Sequence, residues 1–90
     1  MKFHEKLNEY ISILGCTGKE ISTRSGISTA SLSRYRSGDR IPDVDSNTFT
    51  SICNAIASIA SEKGISKLGA DEIKKNFLSC ENVVSANKEL

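Results

Sequence analysis

The sequence has little of what metal-binding and disulfide-stabilised proteins require. It contains one histidine, His4, and three cysteines, Cys16, Cys53 and Cys80, which lie far apart and form no CxxC pair. Widely spaced cysteines in odd number are typical of reduced, buried thiols rather than of a disulfide framework. A metal site needs several ligands in a cluster, and this sequence does not cluster them. We therefore expect no metal and no other cofactor.

Long apolar segments are also missing. The most apolar stretch, residues 52–60, is short and is interrupted by Asn54 and Ser58, so it cannot span a bilayer. Residues 1–10 lack the apolar segment of a signal peptide. On these grounds we expect a cytoplasmic protein with no membrane segment.

No catalytic constellation is evident either. Serine and threonine are abundant between residues 22 and 37, but neither a histidine nor a pair of carboxylates accompanies them. A hydroxyl nucleophile needs an adjacent base, and acid–base chemistry needs positioned titratable groups. Glu5 and Glu9 are one helical turn apart and are interpreted as surface residues. We expect that the chain is not an enzyme.

The chain does contain apolar residues at helical spacing. With 90 residues, of which 38% are hydrophobic, it is long enough for one domain with a single core. The clearest runs are Phe3, Leu7, Tyr10, Ile11 and Leu14, and later Phe49, Ile52, Cys53, Ile56, Ala57 and Ala60. No segment alternates with a period of two, so no sheet is expected. We predict an all-α fold of about five helices, over residues 3–14, 18–25, 29–37, from 45 or 46 to 63–64, and 70–78.

Capping residues divide the first half of the chain. Thr17 followed by Glu20 predicts a capping box, in which the hydroxyl and the carboxylate satisfy backbone N–H groups at a helix start. Ser28 is a favourable N-cap for the third helix. Gly26 and Gly38 can take positive φ and are expected to end the second and third helices. Two short helices joined through a glycine form a helix-turn-helix arrangement.

Positive charge is concentrated in the same part of the chain. The whole chain has a formal net charge of +1, and all four arginines lie between Arg24 and Arg40. The charged residues of segment 18–42 are Lys19, Arg24, Arg34, Arg36 and Arg40 against Glu20 and Asp39. Clustered basic residues are what a phosphate-binding face requires. They are equally compatible with a solvated helix face, so the charge pattern alone does not decide between the two.

Residues 18–42 resemble a known DNA-binding motif. They read GKEISTRSGISTASLSRYRSGDRIP, which is closely similar to the helix-turn-helix of Cro-like (Xre-type) and lambda-repressor-like regulators. The matching positions are Ile21, Gly26, Ile27, Ser28, Leu32 and the closing Gly38-Asp39-Arg40-Ile41-Pro42. The resemblance extends over residues 3–63. Two positions depart from the family pattern: Gly18 stands where Gln is frequent, and Ser22 stands where Ala is usual.

The resemblance implies a lambda-repressor-like domain that binds double-stranded DNA and regulates transcription as a repressor. Helix 29–37 would lie in the major groove with its N-terminal part toward the bases. The base-reading residues that it implies are Thr29, Ala30, Ser31, Ser33 and Arg34. The phosphate contacts that it implies are Gly18, Lys19, Arg36, Ser37 and Arg40.

Three further residues carry expectations about packing. Leu32 and Tyr35 share one face of helix 29–37 and are predicted to anchor it in the core. His4 lies between Phe3 and Glu5 on the first helix and is interpreted as a solvated surface residue.

The predicted domain spans residues 1–78, with the motif at about 18–38, and residues 79–90 are interpreted as a tail, a linker or a dimerisation extension. Phe77, Leu78, Val83 and Val84 exceed what so small a core needs, so we expect a homodimer formed through this region.

Two alternatives stay open. One is a protein-interaction module or antitoxin-like partner with the same fold and no direct DNA role. The other is the N-terminal piece of a longer regulator.

Overall fold

The computed structural model describes residues 1–65 and 67–83, and this part of the chain is all-helical. Its helices are α1 (Phe3–Leu14), α2 (Gly18–Ser25), α3 (Thr29–Ser37), α4 (Asn47–Glu62) and α5 (Ala70–Leu78), with no strand among the described residues. The predicted all-α class and the five predicted helices are confirmed. The fourth helix begins at Asn47, because Ser46 is its N-cap and accepts a hydrogen bond from the Phe49 N–H.

The predicted caps are present at α2 and α3. Thr17 Oγ1 accepts from the Glu20 N–H at 3.2 Å, and Glu20 Oε1 accepts from the Thr17 N–H at 3.0 Å. Ser28 Oγ accepts from the Ser31 N–H at 3.1 Å. Caps of this kind stabilise a helix by about 1 kcal/mol each. They fix the starts of two helices that are too short to be stable alone.

The core forms where α4 packs against α1, α2 and α5. Phe77 of α5 is completely buried at its centre. Its ring centroid lies 4.7 Å from that of Phe3, 5.5 Å from that of Tyr10 and 5.9 Å from that of Phe49. Aromatic rings at such separations add to the stabilisation that burial alone provides. The first, fourth and fifth helices therefore share one core.

The segment after α5 belongs to this folded unit. Cys80 and Val83 are buried, and Asn82 Oδ1 accepts a hydrogen bond of 2.8 Å from the Phe3 N–H at the start of α1. The folded unit thus extends through residue 83, beyond the boundary predicted after residue 78. The remainder of the predicted tail, residues 84–90, lies outside the described residues.

The apolar residues assigned to a dimer surface are mostly in the core. Phe77 and Val83 are buried within their own chain, and only Leu78, at 36% exposure, faces solvent. Val84 lies outside the described residues. The prediction that these side chains exceed the needs of the core is wrong for Phe77 and Val83, because the aromatic cluster and the chain after α5 use them.

The three cysteines are buried, and no disulfide joins them in the structure. Burial raises the pKa of the Cys53 thiol to about 11. Burial also raises the pKa of Cys16 and of Cys80 above the ordinary thiol value. Among the helices described, none combines the length and the apolar character that crossing a membrane requires.

Candidate nucleic-acid interface

The turn between α2 and α3 is held by side chains from α2. Gly26 ends α2 with φ of 76°, a conformation that favours glycine. The Ser22 hydroxyl donates to the Ile27 carbonyl, and Ser25 Oγ accepts from the Ile27 N–H at 3.2 Å. Ser22 is buried, so its hydroxyl has a bonding role inside the turn that an alanine could not fill. These contacts fix the direction in which α3 leaves the turn.

Helix α3 has one anchored face and one open face. Leu32 and Tyr35 are 2% and 7% exposed and pack in the core, which confirms the prediction for both. The exposed residues of its first two turns are Thr29, Ala30, Ser33 and Arg34. Ser31 is half-buried, and its N–H is used by the cap on Ser28. The structure therefore brings four of the five residues expected to read bases onto one accessible surface.

The arginines divide into two groups. Arg24 of α2 forms an ion pair with Glu62 of α4 at 2.6 Å and donates to Ser58 Oγ at 2.8 Å. Within the described residues no carboxylate forms an ion pair with Arg34, Arg36 or Arg40. Arg24 therefore serves the packing of α2 on α4. The other arginines keep their charge available on the side of α3 and the loop that follows it.

Arg36 is held by a residue that the sequence did not single out. Arg36 Nε donates to Asn8 Oδ1 at 2.8 Å, and Asn8 Nδ2 donates to the Arg36 carbonyl at 3.0 Å. Both side chains are half-buried. Asn8 belongs to no motif and lies far from Arg36 in sequence, so no local signal could have identified this pair.

An open groove of about 460 Å³ runs between α1, α2 and α3. Its lining residues are Asn8, Gly18, Lys19, Thr29, Leu32, Ser33, Arg36 and Ser37. Four of the five residues expected to contact phosphates therefore line one groove, next to two of those expected to read bases. Arg40 is not in the lining; it is exposed in the loop after α3, where its N–H donates to the Arg34 carbonyl at 3.3 Å.

His4 packs against the end of α3, so the prediction of a solvated surface residue is wrong. His4 is half-buried, and its Nδ1 atom is buried with no hydrogen-bond partner in the described part of the chain. A Cβ at Gly38 would lie 3.0 Å from this Nδ1 atom, and Gly38 has φ of 90°. Both the positive φ and the short contact favour glycine at position 38. His4 of α1 therefore lies beside the residue that ends α3.

A metal site has no support in the described structure. Across residues 1–65 and 67–83, histidine, cysteine and carboxylate side chains do not group as a metal ion would need. No protein-family model, no curated protein and no solved structure matches this chain. The interpretation of the surface therefore depends on its own geometry and charge.

Proposed function

We propose that this chain is a sequence-specific DNA-binding regulator of transcription, repressor-like, with a lambda-repressor-like fold of the Cro-like type. The observation that carries the proposal is the two-sided character of α3. Leu32 and Tyr35 hold the helix from behind while Thr29, Ser33 and Arg34 are exposed in front. An α-helix presented in this way fits the width of the DNA major groove.

The exposed side chains provide suitable chemistry for reading bases. The Arg34 guanidinium can donate two parallel hydrogen bonds to the O6 and N7 acceptors of a guanine. Thr29 and Ala30 can contact a thymine methyl group, and the Ser33 hydroxyl can bond to a base edge or a phosphate. Ser31 is the weakest of the predicted readers because it is half-buried.

The groove beside α3 provides the phosphate contacts in this proposal. Lys19, Arg36 and Ser37 would neutralise or hydrogen-bond the DNA backbone there, with the N–H groups at the start of α2 near Gly18 in support. Arg40 would contact a neighbouring phosphate from its exposed loop. Contacts of this type set affinity and register, and they make binding depend on salt.

We further propose that two copies bind a two-fold symmetric operator. Recognition helices of such dimers occupy half-sites about 34–36 Å apart, one turn of DNA. Phe77 and Val83 are excluded from the pairing surface because they are buried within the chain. Sedimentation should show a dimer at high micromolar concentration or on operator DNA. A monomer with one copy per site would contradict the pairing.

Selection of binding sites from a pool of random duplex DNA tests the proposal directly. We expect enrichment of one motif with half-site symmetry and a guanine contacted by Arg34. The matched variants are Arg34→Gln, which should lose the motif, and Arg24→Gln, which removes the same charge from a helix-packing contact and should keep it. If the chain shows no salt-dependent retention on DNA, the proposal fails and a protein-interaction role is favoured.

A further inference from the structure

We propose that Asn8 is a positioning residue that holds the Arg36 guanidinium over Gly18 as a preformed clamp for a DNA backbone phosphate. This inference rests on the function proposed above and specifies how the groove between α1, α2 and α3 binds its anion. It assigns a role in DNA binding to a residue of α1, outside the helix-turn-helix segment.

Both the oxygen and the nitrogen of the Asn8 side-chain amide form hydrogen bonds to Arg36. Its carbonyl oxygen accepts from Arg36 Nε, and its amino group donates to the Arg36 backbone carbonyl. The first bond orients the guanidinium plane, and the second fixes the backbone from which it extends. An arginine carries five N–H donors, and this arrangement engages only the one on Nε. The two terminal nitrogens remain available for an anion from outside the described chain.

Asn8 also leaves the charge of Arg36 intact. An amide oxygen accepts the hydrogen bond without contributing a negative charge, whereas a carboxylate at the same place would form an ion pair with the guanidinium. The described structure contains no ion pair to Arg36. The orientation is therefore obtained without neutralising the group that would attract a phosphate.

The missing side chain at Gly18 provides the space for the guanidinium. A Cβ built on Gly18 would lie 2.6 Å from Arg36 Nη1, which is closer than real Cβ contacts allow. Any other residue at position 18 would displace the end of the Arg36 side chain. Gly18, Asn8 and Arg36 come from three different helices, so their fit depends on the packing of α1, α2 and α3 together.

The surroundings of the clamp favour an anion. The groove lining contains the ammonium group of Lys19 and the hydroxyls of Ser33 and Ser37, and it contains no carboxylate. An arginine fork matches the geometry of two phosphate oxygens. Because the exposed start of α3 forms the adjacent wall, a helix seated in the major groove would bring a backbone phosphate to this position.

A purely structural role is the competing explanation, since the Asn8–Arg36 bonds also join α1 to α3. The two explanations differ in the salt dependence of DNA binding. The logarithm of the DNA-binding constant falls linearly with the logarithm of salt concentration. Loss of one phosphate contact makes this fall less steep by about 0.9, whereas a loss of stability alone leaves it unchanged in the folded protein.

A double-mutant cycle on the full chain separates them. Affinity for random-sequence duplex DNA is measured against salt for the wild type, Arg36→Gln, Asn8→Ala, Gly18→Ala and the two doubles that include Arg36→Gln. We expect Arg36→Gln to weaken binding about tenfold, the strength of one charge-assisted hydrogen-bonded contact. Asn8→Ala and Gly18→Ala should each weaken it several-fold, and neither should weaken it further once Arg36 is replaced.

Matched substitutions control for the change of residue type. Gly69→Ala introduces a Cβ that meets nothing within 4 Å, and Asn54→Ala removes an exposed amide from α4. Both should bind DNA as the wild type does. Thermal unfolding of every variant verifies that it is folded at the temperature of the measurement.

The outcomes are distinguishable. The clamp proposal is overturned if Asn8→Ala or Gly18→Ala still weakens DNA binding in the Arg36→Gln background. It is also overturned if a folded Gly18→Ala variant binds DNA with the affinity of the wild type. Asn8→Asp provides an independent test, because its charge should neutralise Arg36 and lower the salt slope while keeping the bond to Nε. If the wild type shows no salt-dependent DNA binding at all, the proposed function itself fails.

Discussion

Arg24 and Glu62 form a two-point ion pair between the end of α2 and the end of α4. Arg24 Nη1 donates to Glu62 Oε2 at 2.7 Å, and Nη2 donates to Oε1 at 2.6 Å. Such parallel bonds are the strongest geometry available to an arginine and a carboxylate. The pair explains why one arginine of the basic segment serves the fold while the others remain available on the surface.

This ion pair predicts a pH dependence of stability. The hydrogen bonds from Arg24 hold the pKa of Glu62 below its ordinary value of 4.5. A carboxyl whose pKa is lower in the folded state stabilises the fold above that ordinary value, and the contribution is lost as the pH falls through the folded pKa. Urea unfolding of the wild type should therefore show a stability that decreases below about pH 4.5, and Glu62→Gln should reduce that decrease.

Glu5 retains part of the dependence in the variant, because its pKa is also lowered, by the Lys2 backbone N–H. The experiment therefore compares how steeply stability falls on acidification in the wild type and in Glu62→Gln, because both are expected to lose some stability. If Glu62→Gln and the wild type lose stability in parallel on acidification, the ion pair contributes nothing measurable in solution.

Arg34→Ala should weaken binding to the selected operator by about 1–3 kcal/mol and relax the preference at one base pair. The reason is that the proposed function assigns to Arg34, on the exposed face of α3, a bidentate contact to one guanine, which this variant could not make. Titration of the operator and of its single-base variants measures both effects. Arg24→Ala removes an equal charge and is the control. An Arg34→Ala variant with wild-type affinity and selectivity would remove Arg34 from base reading.

Arg40→Ala should weaken binding to all DNA sequences alike and lower the salt slope by about 1. Arg40 is exposed in the loop after α3 and forms no ion pair among the described residues, so its charge is available to a phosphate. Affinities for the operator and for unrelated DNA, each taken at several salt concentrations, test this. A loss confined to the operator would show that Arg40 reads sequence instead.

Phe77→Ala should destabilise the fold by about 3–5 kcal/mol, because a buried ring is removed from the aromatic cluster of α1, α4 and α5. Its neighbour Leu78 is partly exposed, and Leu78→Ala should change stability by less than about 1 kcal/mol. Denaturant unfolding of both variants gives the comparison. If both substitutions have equal, small effects on stability, α5 is not part of the cooperative core. Phe77 would then again be a candidate for the dimer surface.

The helices were predictable from the sequence because their signals are local. The capping box of Thr17 and Glu20, the cap on Ser28 and the glycines that follow α2 and α3 each act within a few residues of chain. Apolar spacing in α1 and α4 identified the buried faces for the same reason. The exposed start of α3 also followed, since Leu32 and Tyr35 fix which side of that helix is inside.

The sequence predictions were wrong for residues whose surroundings are formed by parts of the chain that are distant in sequence. The position of His4 in α1 predicts a surface residue, but in the folded chain Gly38 approaches its ring. Phe77 and Val83 were predicted to exceed the needs of the core, yet both are buried, because sequence spacing does not reveal how much apolar surface three packed helices bury together. Their burial becomes apparent only when the helices are assembled.

The sequence by itself determined five helices, their ends and the residues of α3 that point outward, because capping and helical periodicity act over a few bonds. Only the tertiary structure determines that Arg24 forms an ion pair with Glu62. It also determines that the Arg36 side chain lies between Asn8, which accepts its Nε–H, and Gly18, which leaves space for Nη1. These relationships join helices that are distant along the chain. Their geometry is set by how the helices pack, which no short stretch of sequence encodes.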